Sequence, residues 1–240
     1  QSKLDTAVAL LREHNAEATL VVAPWGELTG AQLLSRIKSD LGRGKANDVS
    51  LFYYSGPATA DGRLYGSNAP AEDDYITVDQ LRKALDAVPG KKIVILDCSY
   101  SGLYIGKEPI GIADKASADA FNATVINAFS SGVAGKTNLA DSNYYVLTSC
   151  SMGETILQYN NGRTNYTIFS HNMLLGSGYD DLSNTFKSSR PADTNGDRKL
   201  TLNELYVYCS NAVNQQGEAD GFTQSVQVYP LNSSFVCWGK

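Results

Sequence analysis

The chain has 240 residues, of which 42% are hydrophobic and 19% charged, so it is long and apolar enough to bury a full core. Its formal net charge is −5 at pH 7 and it has no run of Lys and Arg, which argues against nucleic-acid binding. No apolar stretch reaches the roughly 18 residues that a membrane span requires, and no signal peptide is visible.

The four cysteines do not have the spacing of metal ligands, so no zinc site is expected; they are Cys98, Cys150, Cys209 and Cys237. A chain of this length does not need disulfides for stability. The composition includes 14 Tyr and 21 Gly, which favours an exported protein while leaving the compartment open.

The first third of the chain contains two helix patterns and two strand patterns. Residues 4–13 have apolar side chains at helical spacing, and residues 19–23 form a short apolar run typical of a strand. Thr29-Gly-Ala-Gln32 has the form of a capping box, which predicts a helix that ends at Gly42. Residues 48–55 are almost continuously apolar, which predicts a strand buried on both faces. The segment 56–75 is expected to be a loop or a small hairpin.

Strand and helix patterns alternate in the rest of the chain. A second capping box, Thr77-Val-Asp-Gln80, opens a helix. The further predictions are strands at 92–96, 144–148 and 235–236 and helices at 117–129, 168–175 and 202–213. This alternation predicts an α/β fold with a mostly parallel sheet and helices on both faces. No linker divides the chain, so residues 1–240 are expected to form a single domain.

Two segments resemble the caspase and metacaspase family of cysteine peptidases. Phe52-Tyr-Tyr-Ser-Gly56, with Asp61-Gly-Arg-Leu-Tyr-Gly66 after it, is similar to F-Y-[FY]-S-G-H-G followed by D-G-x-L-Y-G. Residues 93–102 (IVILDCSYSG) are similar to I-L-D-[SC]-C-H-S-G, and the C-terminal third resembles bacterial members. The resemblance implies a caspase-like three-layer sandwich with about six strands. It also implies an apolar strand before the first helix, which no segment before Leu4 provides.

Both members of the family's catalytic Cys–His pair are replaced. Pro57 stands at the position of the His, and Ser99 stands at the position of the nucleophilic Cys, followed by Tyr100. A serine hydroxyl needs a general base, and proline has no titratable group. The sequence therefore predicts a catalytically inactive pseudopeptidase, with a peptide or protein as its ligand.

An active peptidase that cleaves after Lys or Arg is the alternative. It would use Ser99 or Cys98 with an unidentified base, or Ser99 would replace the cysteine of a working protease. The histidines, His14 and His171, do not follow a predicted strand beside Ser99. Neighbouring side chains on an extended segment point to opposite faces, so Cys98 is expected to be a buried structural residue. A disulfide between Cys98 and Cys150 is a lesser possibility.

Two acidic residues carry the substrate-binding prediction. In metacaspase-like relatives the residue matching Asp97 helps a pocket accept Lys or Arg, and Glu154 lies where the family lines the same pocket. The resemblance therefore implies that the chain binds basic peptide segments. The alternative is that Asp97 only accepts hydrogen bonds from backbone amides at the strand end.

Residues 193–204 (DTNGDRKLTLNE) have the oxygen spacing of an EF-hand-like loop. The candidate ligands at loop positions 1, 3, 5, 7, 9 and 12 are Asp193, Asn195, Asp197, Lys199 through its carbonyl, Thr201 and Glu204. The usual glycine at position 6 is replaced by Arg198, so weak, structural Ca²⁺ binding is predicted. The alternative is a simple helix start, because Thr201-Leu-Asn-Glu204 is itself a capping box.

Overall fold

The computed structural model describes residues 28–59, 63–69, 73–100, 143–150, 154, 156–160 and 165–239. The helices expected at 4–13 and 117–129 and the strand expected at 19–23 lie outside this part of the chain. The helices are α1 (Gly30–Asp40), α2 (Val78–Asp86), α3 (Ile168–Gly176) and α4 (Leu202–Asp220), with a short 3₁₀ helix at Leu41–Arg43. No helix in these ranges is long and apolar enough to cross a bilayer.

The strands number twelve among the described residues. In chain order they are β1 (Val49–Ala58), β2 (Leu64–Tyr65), β3 (Tyr75–Ile76), β4 (Lys91–Tyr100), β5 (Tyr144–Thr148), β6 (Gln158–Asn160), β7 (Asn165–Thr167), β8 (Tyr179–Asp180), β9 (Thr185–Phe186), β10 (Leu200–Thr201), β11 (Gln227–Tyr229) and β12 (Val236–Trp238). The main sheet has six strands in the order β11-β5-β4-β1-β2-β3. The other six strands form three two-stranded sheets, β10–β12, β6–β7 and β8–β9.

The centre of the main sheet is parallel and its edges are antiparallel. β1, β4 and β5 pair in parallel, whereas β11 and the β2–β3 hairpin pair antiparallel to their neighbours. Most of the paired length is therefore parallel, and the predicted α/β class with a sheet of six strands is confirmed.

β1 and β4 are longer than their sequence patterns suggest. Their ladder runs without a break from Val49 beside Lys91 to Ala58 beside Tyr100. Each strand continues three or four residues beyond its apolar run because the other strand supplies a backbone partner at every position. The segment after Leu96 is therefore strand rather than loop, and the carboxyl ends of β1 and β4 meet at one edge of the sheet.

Helices cover both faces of the sheet, which gives the three layers expected. On one face α1 and α2 contribute Ile37, Leu81 and Leu85 to a core that includes Val94 and Leu96 of β4. On the other face α3 and α4 pack residues such as Phe169 and Leu205 against Ile93 and Ile95. The alternation of β4 residues between the two cores follows from the two-residue period of a strand.

β1 differs from its prediction because only one of its faces is buried. Phe52 and Tyr54 belong to the core beneath α1 and α2. On the opposite face Val49, Leu51 and Tyr53 are 50%, 45% and 42% exposed. The continuous apolar run therefore did not indicate burial on both sides.

Candidate functional site

The two substituted catalytic positions lie side by side. Pro57 of β1 pairs in register with Ser99 of β4 at the carboxyl ends of the two parallel strands. In open α/β sheets, ligands bind outside the carboxyl ends of the strands, so this is the edge where a cleft is expected. The order of motifs in the sequence thus corresponds to neighbours in the fold.

Pro57 has a structural role that its neighbours define. It is buried, and its carbonyl oxygen accepts a hydrogen bond from the Tyr54 hydroxyl at 2.7 Å. The same hydroxyl accepts a hydrogen bond from the backbone N–H of Tyr65 at 3.2 Å, which ties β1 to the β2–β3 hairpin. A pyrrolidine ring can neither accept nor donate a proton, so no general base stands at this position.

Asp97 is the most buried acidic group of the site, with no exposed surface. Its Oδ2 atom accepts hydrogen bonds from the hydroxyls of Thr167 at 2.6 Å and Tyr53 at 3.3 Å, and from that of Ser170 at short range. Thr167 is also the N-cap of α3, so the acid joins β1, β4 and the start of α3. The donors are hydroxyl groups rather than the backbone amides considered from the sequence.

Burial has the largest effect on Asp97 and raises its pKa, while the surrounding hydroxyls lower it. The Tyr53 side chain is 42% exposed, but its hydroxyl lies against the buried Asp97, and partial desolvation together with Asp97 raises its pKa well above the usual value. Tyr53 therefore stays protonated and serves as a neutral hydrogen-bond donor at any physiological pH.

Cys98 is buried in the core beneath α1 and α2, on the face opposite to Asp97, as predicted. Burial raises the pKa of its thiol well above the usual value, and the neighbouring Cys150 raises it further. The Cys150 thiol lies 3.5 Å from the carbonyl oxygen of Cys98, but no disulfide joins the two residues. A thiol that resists ionisation is a poor nucleophile.

Glu154 is engaged by the segment that precedes β11. Its carboxylate accepts hydrogen bonds from the backbone N–H of Ser225 at 2.6 Å and from the Ser225 hydroxyl at 2.9 Å. Next to it, the buried Gln224 donates to the carbonyl of Ser149 at 2.8 Å and accepts from the N–H of Leu157. These contacts join the residues that follow β5 to the segment that precedes β11.

His171 of α3 is paired with Asp181, which lies between β8 and β9. Its Nδ1 atom lies 2.5 Å from Asp181 Oδ1, and its ring packs 5.3 Å from that of Tyr166. His171 therefore has a local hydrogen-bond partner in the hairpin that follows its helix. His14 lies outside the described residues.

Side chains of the 193–204 loop accept hydrogen bonds from backbone N–H groups of the same loop. Asp193 accepts hydrogen bonds from the N–H groups of Gly196 and Arg198 at 2.8 and 2.9 Å. In the same way, Asn195 accepts from Asp197 and Asp197 accepts from Lys199, both at 2.8 Å. Gly196 and Arg198 both have left-handed φ angles, 73° and 64°.

Glu204 and Thr201 form the capping box that was the alternative to a calcium loop. Thr201 donates from its N–H and hydroxyl to Glu204 Oε2 at 3.0 and 2.8 Å. Within the described ranges, no group of three or more His, Cys, Asp and Glu side chains could hold a metal ion. The calcium site therefore stays a prediction.

The sequence did not point to the partners of Asp97. Tyr53, Thr167 and Ser170 are distant from it along the chain, and only Thr167 has a local signal, as an N-cap before an apolar helix. Its hydrogen bond to a carboxyl group 70 residues away has no local signature.

No family model and no curated protein matches this chain. One solved structure that is similar to it is the crystal structure of protein GSU0716 from Geobacter sulfurreducens. The two share 14% sequence identity with a TM-score of 0.41, over 85% of this chain and 73% of that one. Similarity at this level supports no conclusion about family or function.

Proposed function

We propose that this chain is a catalytically inactive caspase-like pseudopeptidase that binds peptide segments carrying a basic side chain. The observation that carries the proposal is the register of β1 and β4, which pairs Pro57 with Ser99 at the carboxyl edge of the sheet. The positions that resemble the catalytic pair are thus adjacent, as peptide cleavage would require, while neither residue type supports thiol–imidazole chemistry. The carboxyl edge of β1 and β4 has no thiol and imidazole at the paired positions, which favours peptide binding over peptide cleavage.

The substrate-binding half of the proposal rests on Asp97. Its carboxyl group lies two residues before Ser99 on β4, and it is held by hydroxyl groups from two other elements, Tyr53 and Ser170 among them. A buried acid with no basic partner among the described side chains is costly to keep. That cost is compensated if the acid binds a cationic group supplied by a ligand.

The test has two measurements on the same peptides. We expect fluorogenic peptides ending in Lys or Arg to give no turnover above background, with or without Ca²⁺. Turnover that Ser99→Ala or Cys98→Ala abolishes would establish the active-peptidase alternative instead. Binding of the same peptides, followed by fluorescence anisotropy at alkaline pH, is expected to weaken at least tenfold in Asp97→Asn. Asp79→Asn on α2 is the control, because it makes the same charge change on an exposed acid.

We also propose that residues 193–204 bind Ca²⁺ weakly and that the ion stabilises the loop without taking part in chemistry. The left-handed conformation of Arg198 supports this, because it makes the sharp turn that glycine usually makes at position 6. The five side-chain oxygen ligands would come from Asp193, Asn195, Asp197, Thr201 and Glu204.

A further inference from the structure

Two buried oxygen atoms have no hydrogen-bond partner among the described residues: Asp97 Oδ1 on β4 and Ser149 Oγ directly after β5. Both residues have no exposed surface. They follow directly after the last registered pair of the two strands, Leu96 and Thr148, and the N–H of Ser149 still bonds the carbonyl of Leu96 at 2.9 Å. The two side chains therefore stand next to each other on neighbouring parallel strands.

The two oxygens of the Asp97 carboxyl group are in unequal surroundings. Oδ2 accepts hydrogen bonds from Tyr53, Thr167 and Ser170, which a neutral carboxyl group also accepts but which stabilise the ionised form more. Oδ1 accepts none, and a buried ionised oxygen without a donor costs several kcal/mol, whereas a protonated one costs much less. The asymmetry favours a neutral acid with its proton on Oδ1.

The charges around Asp97 favour the neutral acid as well. Among the described residues, the titratable groups near it are Tyr53 from β1 and Cys150 after β5, with Cys98 on the opposite face of β4 and Glu154 beyond Cys150. Each of these is neutral or negative, and no Lys, Arg or His of the described residues contacts the acid. Burial has the largest effect on the pKa of Asp97 and raises it, although the hydroxyls that bond Oδ2 lower it.

We propose that ligand-free Asp97 holds a proton on Oδ1, facing Ser149, and that a basic side chain binds by displacing this proton. In that exchange the Asp97 O–H bond breaks, the proton passes to solvent, and the carboxylate pairs with the cation. The first half concerns the ligand-free protein alone, and the second rests on the proposed function. Binding then releases a proton, so the affinity for the peptide increases with pH.

Asp97→Asn tests the buried proton because asparagine has the shape of the protonated acid. Its amide oxygen accepts the same three hydroxyl groups and its amide N–H₂ faces Ser149. A folded-state pKa above the ordinary value near 4 means that stability is lost as pH rises from that value through the folded pKa. Asparagine does not titrate, so it escapes this loss.

Urea unfolding of the full chain between about pH 5 and 8 provides the measurement. We expect the unfolding equilibrium constant of the native chain to rise relative to Asp97→Asn, by up to about tenfold per pH unit below the folded pKa. Asp79→Asn should run parallel to the native chain. A difference that is constant with pH, or that favours Asp97 as pH rises, would overturn the proposal.

Carbon-13 NMR of the native carboxyl groups gives the same answer if Asp97→Asn does not fold. The Asp97 carboxyl carbon is expected to titrate above the ordinary aspartate range, and titration at or below that range would overturn the buried proton.

Calorimetry with a Lys-ended peptide, in two buffers of different ionisation enthalpy, counts the protons released on binding. We expect about one proton per peptide below the folded pKa of Asp97. Binding without proton release would overturn the displacement step. A peptide that binds at no pH, while Asp97 still titrates high, would refute the proposed function and leave the buried proton standing.

Discussion

Pro57 provides neither a titratable side chain nor a backbone N–H donor at the end of β1. Its carbonyl oxygen still accepts the Tyr54 hydroxyl, so the strand end stays attached to the hairpin beside it. The ladder with β4 continues past it to Ala58 and Tyr100. Proline at position 57 therefore leaves the end of β1 without a general base, while the strand stays paired with β4.

The register of β1 and β4 predicts what happens when both residues are exchanged. In Ser99→Cys with Pro57→His, the new thiol and imidazole belong to residues that pair in register on neighbouring parallel strands. We expect the thiol pKa, measured from the pH dependence of iodoacetamide alkylation, to lie at least one unit below that of Ser99→Cys alone, because a neighbouring imidazolium stabilises the thiolate. Weak turnover of Lys- and Arg-ended peptides would support an intact cleft. Equal thiol pKa values in the single and double variants would contradict the juxtaposition.

Asp74 attaches the β2–β3 hairpin to the start of α1. Asp74 accepts hydrogen bonds from the N–H of Gly30 at the start of α1 and from the N–H of Asn68 in the hairpin, at 2.7 and 3.2 Å. The N–H of Ser67 also bonds the carbonyl of Leu28 at 2.9 Å. These contacts attach the hairpin to the first turn of α1 and leave no space for a side chain at Gly66.

Gly66→Ala tests this attachment. A Cβ atom at Gly66 would lie 2.2 Å from Asp74 Oδ2 and 2.5 Å from the backbone nitrogen of Gly30, so the hairpin must move. We expect a loss of about 1–3 kcal/mol in the free energy of unfolding, the usual cost of overpacking. The matched control is Gly42→Ala, where a Cβ meets nothing within 4 Å. Equal urea midpoints for the two variants would contradict the tight approach.

The twelve-residue loop 193–204 before α4 contains both a set of side-chain to backbone hydrogen bonds and the cap of the helix. Its side-chain oxygens are bonded to backbone N–H groups along the loop, and its last acid, Glu204, completes the cap of the helix. A bound cation would compete with these bonds for the same oxygens. Together with the positive charge of Arg198, this favours an affinity in the range of roughly 10⁻⁴ to 10⁻³ M that extracellular modules show.

The calcium prediction is tested by melting the protein at increasing Ca²⁺. If the loop binds, Tm rises by mass action, and Asp193→Ala removes most of the rise. Glu204→Gln is the sharper variant, because glutamine still completes a capping box while it removes the charged ligand. Glu218→Ala, later on α4, is the control. If millimolar Ca²⁺ does not change the Tm of the native chain, the calcium proposal is wrong and the motif is a helix cap only.

The described part of the chain is organised around the six-stranded sheet, which has a core on each face. The core beneath α3 and α4 has Phe169 at its centre, with no exposed surface. Total stabilities of domains are only about 5–15 kcal/mol, so one large side chain in such a core is a considerable part of the total.

Phe169→Ala is expected to lower the free energy of unfolding by about 3–5 kcal/mol, because it removes a fully buried ring and leaves a cavity. Phe186→Ala is the control, since that ring is 57% exposed on the β8–β9 hairpin. It should change stability by about 0.5 kcal/mol or less. Urea unfolding followed by circular dichroism compares the two, and similar losses would contradict a core on this face.

The sequence by itself determined features that depend on neighbouring residues. The capping boxes at Thr29, Thr77 and Thr201 all form, because a side chain and a backbone group three residues apart decide them. Strand β5 has the predicted bounds, since all five of its residues are buried and its apolar run ends where the strand ends. The α/β class follows from the same alternation of local patterns.

The tertiary structure alone decided which distant groups meet. The full length of β4 depends on β1, and the exposed face of β1 depends on what packs over it, which a run of apolar letters does not specify. The hydroxyl groups around Asp97 come from residues 44, 70 and 73 positions away. Periodicity reports only which side of a strand or helix faces the core, and it contains no information about which side chain lies opposite a given acid. The hydrogen bonds of the site, and the unpartnered Oδ1 of Asp97, therefore became visible only in the folded chain.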